Sequence, residues 1–152
     1  MKYLPLLLLL FGTASADVIV EAGPAFLSNS RSGAALIVVS ERTDKWDFGI
    51  GWVDAQTVFP DWERDRGLPE VSFRENLFVH ATRIGHWNRL ELGLGAAYFQ
   101  NTNRAMSRRF VVSVELGFNF NRAWSIRYRH FSNAGSGSPN LGQDAFLIGL
   151  RL

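Results

Sequence analysis

The chain has 152 residues, of which 47% are hydrophobic and 20% charged, with a formal net charge of +2. This length suits one folded domain, and the apolar content excludes a disordered chain. Because there is no cysteine, disulfide scaffolds, zinc-thiolate sites and thiol catalysis are excluded as well. The 16 Lys and Arg are scattered among 14 Asp and Glu, so no basic block indicates a nucleic-acid partner.

The N-terminal segment has the pattern of a secretory signal peptide. Lys2 supplies the positive start, residues 4–11 are almost entirely apolar, and Ala14-Ser15-Ala16 is a small-x-small cleavage site. The apolar stretch is too short to span a bilayer, which needs roughly 20 residues. We therefore predict a signal peptide over 1–16 and one domain over 17–152. An exported chain without cysteine fits the bacterial outer membrane better than a small disulfide-linked secreted domain; a soluble periplasmic protein stays open.

The rest of the chain follows the two-residue periodicity of β-strands. Between 110 and 120 every even position is apolar, and most odd positions are small or polar. Patterns of this kind predict eight strands, at 18–27, 33–40, 46–52, 71–82, 90–98, 110–120, 123–133 and 143–152. The segment 33–40 fits least well, because its residues 36–39 are apolar without alternation.

Large apolar side chains share one face of these strands, and small or polar side chains share the other. In an outer-membrane barrel the apolar face meets lipid and the interior of a small barrel is filled by side chains. We therefore predict an all-β fold, an eight-stranded antiparallel transmembrane β-barrel of the bacterial outer membrane, closed because hydrocarbon cannot satisfy a free strand edge. We interpret the inward charged residues as a structural network rather than a catalytic one. These residues are Glu21, Asp47, Arg74, His80, Glu91, Glu115, Arg127 and Arg129.

The lengths of the connections orient the predicted barrel. The short ones are 41–45, 84–88 and Arg122 with its neighbours. The longer ones are 55–70, 100–107 and 134–142. Because outer-membrane barrels have short periplasmic turns and longer external loops, the N-terminus should be periplasmic. His86, beside Trp87 in a predicted turn, is interpreted as an interfacial residue.

The last two predicted strands place polar side chains on the face that should meet lipid. His130 and Ser132 occupy even positions of a strand whose earlier even positions are aromatic or aliphatic. Asp144 occupies an even position of the next strand, which is apolar from 146 onward. Polar groups facing lipid are costly and are usually functional. Residues two apart on a strand lie roughly 6.5–7 Å from each other, and cross-strand neighbours lie closer, so the three side chains can meet.

A serine, a histidine and an acid are the components of a serine hydrolase site. The hydroxyl needs a base to take its proton, and the acid holds the imidazole in the right tautomer. Asn133 and the backbone N–H groups of the Ala134-Gly135 turn are candidates to stabilise an oxyanion. Since strand 123–133 ends at an external loop, the substrate should be a lipid of the outer leaflet. In a Gram-negative bacterium that lipid is lipopolysaccharide, and the bond cleaved would be an ester.

The segment Arg129-His130-Phe131-Ser132-Asn133-Ala134-Gly135, followed by Pro139-Asn140 and Gly142-Gln143-Asp144, resembles the C-terminal hairpin of the PagL-type outer-membrane lipid A 3-O-deacylases. The resemblance implies an eight-stranded barrel that removes the ester-linked acyl chain at the 3-position of lipid A. It implies that Ser132 is the nucleophile, His130 the general base and Asp144 the orienting acid. The Asn133 side chain and the Gly135 N–H would form the oxyanion hole, with no metal or cofactor. The family usually has Glu where this chain has Asp144, which is one methylene shorter.

An alternative from another class is a non-enzymatic small outer-membrane barrel with an adhesion or structural role. Such a protein would place its specificity in the external loops and would need no outward His and Ser. A soluble ligand-binding barrel of the lipocalin kind is a further alternative. A homodimer is compatible with the sequence, which leaves the oligomeric state, the acyl-chain preference and the role of loop 55–70 open.

Overall fold

The computed structural model describes residues 16–27, 33–58, 71–102, 107–134 and 142–152, with only the backbone of Leu27, 56–58 and 71–73. The strands in chain order are β1 (Asp17–Leu27), β2 (Gly33–Arg42), β3 (Trp46–Val53), β4 (Gln56–Val58), β5 (Val71–Phe73), β6 (Asn76–Trp87), β7 (Leu90–Phe99), β8 (Phe110–Asn119), β9 (Trp124–Ser132) and β10 (Gln143–Arg151). Eight of them form a closed antiparallel barrel in the order β1-β10-β9-β8-β7-β6-β3-β2, which confirms the predicted fold class. Within the described ranges, no helix is long and apolar enough to cross a bilayer.

The outer surface of the barrel is apolar, as the alternation predicts. Along β9, Ser125, Arg127 and Arg129 are buried, whereas the alternate residues Trp124 and Ile126 are exposed. The same alternation runs through the least regular predicted strand, β2, where the pattern of burial changes at every step from Gly33 to Val38. Large exposed apolar side chains on the other strands include Phe48, Val79, Leu92, Leu94, Val114, Leu116, Phe146 and Ile148. An exposed apolar surface this extensive is typical of a barrel in lipid.

The two ends of the barrel differ in how the strands are joined. The connections β2–β3, β6–β7 and β8–β9 lie at one end with residue 17, which we call the turn end. The other connections lie at the opposite end, which we call the loop end. The exposed tryptophans Trp46, Trp87 and Trp124 all lie at the turn end. This position suits an aromatic girdle at one membrane interface.

Toward the turn end, the interior contains a charged network. The Arg127 guanidinium bonds Glu21 through Nε at 2.7 Å and Glu91 through Nη2 at 2.6 Å. Arg129 contacts the other oxygen of Glu21 at 3.1 Å. The buried charged or titratable residues are Glu21, Arg42, Asp47, His80, Glu91, Glu115, Arg127 and Arg129. The structure therefore confirms the predicted inward set with two corrections: one predicted residue does not belong to it, and one further residue does.

The residue that does not belong to the inward set is Arg74, which was predicted to lie inside the barrel. Arg74 is exposed and lies in the connection between β5 and β6. The predicted strand 71–82 is in fact divided, because β5 pairs with β4 in a separate two-stranded sheet and the barrel strand begins at Asn76. Arg74 therefore has no inward position to occupy.

The residue to be added to the inward set is Arg42, which was predicted to lie in a turn. The strand β2 continues through Arg42, and alternation turns its side chain inward, where it bonds Asp47 at 2.6 Å and Glu91 at 3.2 Å.

The bounds predicted for the turn 84–88 are also wrong. The strand β6 runs to Trp87 with Ile84 buried, and the chain reverses at Asn88 and Arg89, where Asn88 has a φ of 56° that asparagine tolerates better than most residues.

Toward the loop end the interior contains an apolar cluster, which was not predicted from the sequence. Phe78, Phe99 and Phe131 pack together with ring centroids 4.8 to 5.3 Å apart. Smaller side chains complete this cluster, namely Ala25, Ala34, Leu36, Val38, Val53, Ala97, Val111, Ala145 and Leu147. The inward residue Phe131 lies between His130 and Ser132 in sequence, so its burial holds both of these neighbours on the outer face.

Candidate active site

His130 and Asp144 lie directly opposite each other on neighbouring strands. The register of β9 and β10 pairs these two residues, and His130 Nδ1 lies 2.7 Å from Asp144 Oδ1. Both side chains are partly exposed on the outer face, at 31% and 25%. A carboxylate on Nδ1 fixes the imidazole so that the remaining nitrogen, Nε2, is free of a proton in the neutral ring. The pair is therefore built to present a basic nitrogen.

Ser132 is the last residue of β9 and lies two residues beyond His130, on the same face. Its Oγ accepts a hydrogen bond of 3.1 Å from the backbone N–H of Ala134. Ala134 has a φ of 50°, in the left-handed region that non-glycine residues rarely adopt. Strained backbone of this kind clusters at functional sites. The chain thus turns sharply just after the serine and directs a backbone N–H at its hydroxyl.

Gly142 lies directly against the imidazole ring of His130. Its φ is +71°, and a Cβ at this position would lie 2.8 Å from Cε1 of His130 and 3.4 Å from Nε2. A larger residue would be strained in the backbone and would push the imidazole away. In the sequence Gly142 stands out only as part of a resemblance, whereas in the structure it has a defined steric role.

Tyr128 is part of this cluster and was missed by the sequence analysis, which placed it among the lipid-facing aromatics. Its hydroxyl donates a hydrogen bond of 2.6 Å to Oδ1 of Asp144. The signal available in the sequence was its position, two residues before His130 on the same face. That position also lies diagonally across from Asp144, at a separation that an aromatic side chain can bridge.

Of the two residues predicted to stabilise an oxyanion, Asn133 and Gly135, only Asn133 is among the described residues. Asn133 is 3% exposed, and its Nδ2 donates to Ser107 Oγ at 3.1 Å. This bond orients the buried amide of the residue that follows Ser132. Gly135 lies outside the described residues.

One interior group has the donor types of a metal site. Donor atoms of Asp47, His80 and Glu115 all lie within 4.8 Å of one another. However, Asp47 already bonds Arg42 at 2.6 Å, and Glu115 lies 3.2 Å from Arg129. These guanidiniums supply the positive charge that a cation would otherwise bring. In the described part of the chain, neither nitrogen of His80 has a hydrogen-bond partner, an arrangement that suits buried water.

His86 lies at the turn end, far along the barrel from His130. Its Nε2 is 2.9 Å from the carbonyl oxygen of Asp44, and its Nδ1 is 3.5 Å from Glu91. The side chain is exposed, and His86 lies in a strand rather than in the predicted turn.

Comparisons with known proteins identify a family and a similar fold. The family model described as "Lipid A 3-O-deacylase (PagL)" matches residues 36–152. A solved structure described as "Crystal structure of the outer membrane enzyme PagL" is similar, with a TM-score of 0.56 and 17% sequence identity. That match covers 90% of this chain and 98% of the other. A comparison with curated protein sequences finds no match.

Proposed function

This chain belongs to the lipid A 3-O-deacylase (PagL) family, and we propose that it hydrolyses the ester bond of the acyl chain at the 3-position of lipid A. The observation that carries the proposal is the 2.7 Å contact between His130 Nδ1 and Asp144 Oδ1 on the outer face of the barrel. A histidine and a carboxylate that face lipid are energetically costly, and polar residues in such positions usually mark a functional site. Ser132 on the same face completes a nucleophile, base and acid.

The barrel fold and the family indicate an outer-membrane protein. The candidate residues lie toward the loop end of β9 and β10, which would be the external end if the short turns face the periplasm. We propose that the site opens sideways into the outer leaflet, where lipopolysaccharide presents its acyl esters. Residues 1–16 are proposed to be a signal peptide; of these only Ala16 is among the described residues.

In the first half of the proposed reaction, Ser132 Oγ attacks the ester carbonyl carbon while His130 Nε2 takes the hydroxyl proton. The carbonyl π electrons move to oxygen, and the resulting oxyanion is stabilised by N–H donors. The Asn133 amide and the Gly135 N–H are proposed for this role. The oxyanion then collapses, the bond from carbon to the sugar oxygen breaks, and His130 Nε2 returns its proton to that oxygen. The products are 3-O-deacylated lipid A and an acyl-Ser132 ester.

In the second half, water replaces the sugar. His130 Nε2 takes a proton from water as the water oxygen attacks the acyl carbon. The new tetrahedral intermediate collapses, Ser132 Oγ leaves and is protonated by His130, and the fatty acid departs. Throughout, the Asp144 carboxylate accepts from Nδ1–H, holds the imidazole and stabilises it when protonated.

The proposal is tested by incubating the purified, detergent-folded protein with lipopolysaccharide and measuring the mass of the lipid A. Loss of one ester-linked acyl chain is expected for the wild type, and no loss for Ser132→Ala. His86→Ala is the matched control, since it removes an exposed histidine at the other end of the barrel, and it should remain active. An unchanged lipid A mass with folded wild-type protein would instead support a non-enzymatic barrel with an adhesion or structural role.

The homodimer stays a prediction. Sedimentation of the detergent-solubilised protein tests it, since one barrel and two barrels differ twofold in protein mass.

A further inference from the structure

We infer that Tyr128 is a positioning residue for the deacylation, acting through Asp144. Its hydroxyl holds the carboxylate in the orientation that bonds His130. This inference rests on the proposed function, and it assigns a task to a residue whose ring alone would suit a lipid-facing position.

The geometry that carries the inference is the convergence of two donors on one oxygen. Tyr128 Oη lies 2.6 Å and His130 Nδ1 lies 2.7 Å from the same atom, Oδ1 of Asp144. Since His130 is directly opposite Asp144 and Tyr128 is opposite Phe146, the tyrosine reaches the carboxylate along the diagonal of the strand pair. A diagonal neighbour lies about 7–8 Å away at the backbone, a gap that a tyrosine hydroxyl can bridge.

The ring of Tyr128 is held independently of its hydroxyl. It packs against Phe146 with ring centroids 5.3 Å apart and an interplanar angle of 47°. Because this contact involves only the rings, replacing tyrosine by phenylalanine removes the hydrogen bond and keeps the packing. The hydrogen bond of the hydroxyl can therefore be removed without changing the ring contact.

The hydrogen bond matters because of where the carboxylate lies. Asp144 faces an apolar surface that includes Phe146 and Ile148, where a carboxylate needs hydrogen bonds to offset its lost solvation. A hydrogen bond from a phenol to a carboxylate is among the stronger kinds. The hydroxyl also restricts the rotation of the short Asp144 side chain. Tyr128 thus keeps the carboxylate aimed at Nδ1.

The test is a double-mutant cycle on deacylation rate, with Tyr128→Phe, Asp144→Ala and the double variant. We expect kcat to fall roughly ten-fold in Tyr128→Phe, the effect of losing one hydrogen bond to a charged group, with KM nearly unchanged. In the Asp144→Ala background the same tyrosine substitution should change kcat less than about two-fold, because the oxygen that accepts its hydrogen bond is gone. Rates are normalised to the folded fraction, measured by heat-modifiable migration on gels.

Tyr98→Phe is the matched control, since Tyr98 is an outward tyrosine whose hydroxyl accepts from Arg109 at 3.4 Å. It should leave kcat unchanged. An unchanged kcat in Tyr128→Phe, an effect on KM alone, or a loss that persists in the Asp144→Ala background would each overturn the inference while leaving the proposed function standing. An inactive wild type would overturn the proposed function and the inference together.

Discussion

Carboxylates meet different partners on the two faces of the same barrel wall. On the inner face, Glu21 and Glu91 bond the guanidinium of Arg127 at 2.7 and 2.6 Å. On the outer face, Asp144 accepts from the imidazole of His130 and the phenol of Tyr128. A guanidinium keeps its charge at every physiological pH, whereas an imidazole gains and loses a proton near neutrality. The inner pairs are therefore suited to stability and the outer pair to chemistry.

The carboxylates of the inner face are also more deeply buried than the one on the outer face. The inner carboxylates are at most 1% exposed, so removing one partner leaves a charge without solvent. The side chains of His130 and Asp144 are 31% and 25% exposed, so a substitution there leaves groups that lipid headgroups or water can reach. The comparison predicts that inner substitutions change folding and outer ones change rate.

The largest expected effect is on the outer face. His130→Ala should lower the deacylation rate by at least about 10⁴-fold, because the serine loses its base. The unfolding midpoint in urea should stay that of the wild type, since no inner contact changes. Substantial activity in the folded variant would remove His130 from the mechanism.

On the inner face, Arg127→Leu should lower the free energy of unfolding by about 3–5 kcal/mol, because the carboxylates around it lose their shared partner. Urea unfolding in detergent, followed by gel migration, measures this. The surviving folded fraction should keep its rate per molecule. Arg122→Leu is the control, since Arg122 is exposed between β8 and β9, and it should be neutral. Equal effects of the two substitutions would contradict the comparison.

Substitution of Asp144 should have an intermediate effect on rate. Asp144→Ala is expected to lower the rate by roughly 10- to 100-fold, since the serine and base retain part of the catalysis. Asp144→Glu restores the family's usual residue, but Asp144 already reaches Nδ1 at 2.7 Å. The longer side chain is therefore expected to be neutral or slightly harmful rather than beneficial. A clear gain in rate with Asp144→Glu would show that reach limits the wild type.

The last expected effect is a pH dependence of the rate. A general base accepts the serine proton only in its neutral form, so the deacylation rate should fall as the pH is lowered. A rate that rises on acidification, measured on protein shown to stay folded, would argue against His130 as the base.

Several features of the fold were predictable from the sequence because they depend on alternation. Seven of the eight residues predicted to face inward do so, and the prediction for the eighth, Arg74, is wrong because its segment lies beside a separate hairpin. The outward placement of His130 and Asp144 followed from the same rule. Arg42 was missed because the sequence does not mark where β2 ends. Strand ends depend on pairing with a neighbour, and local pattern does not report pairing.

The sequence by itself determined which face each strand residue occupies, because successive side chains of an extended chain must point to opposite sides. It therefore determined an inside-out barrel, with a histidine, a serine and an acid on its outer face. Only the tertiary structure decided which residues meet. Register paired Asp144 with His130 and brought the Tyr128 hydroxyl to the same oxygen, because register is set by cross-strand packing and turn geometry rather than by alternation along one strand.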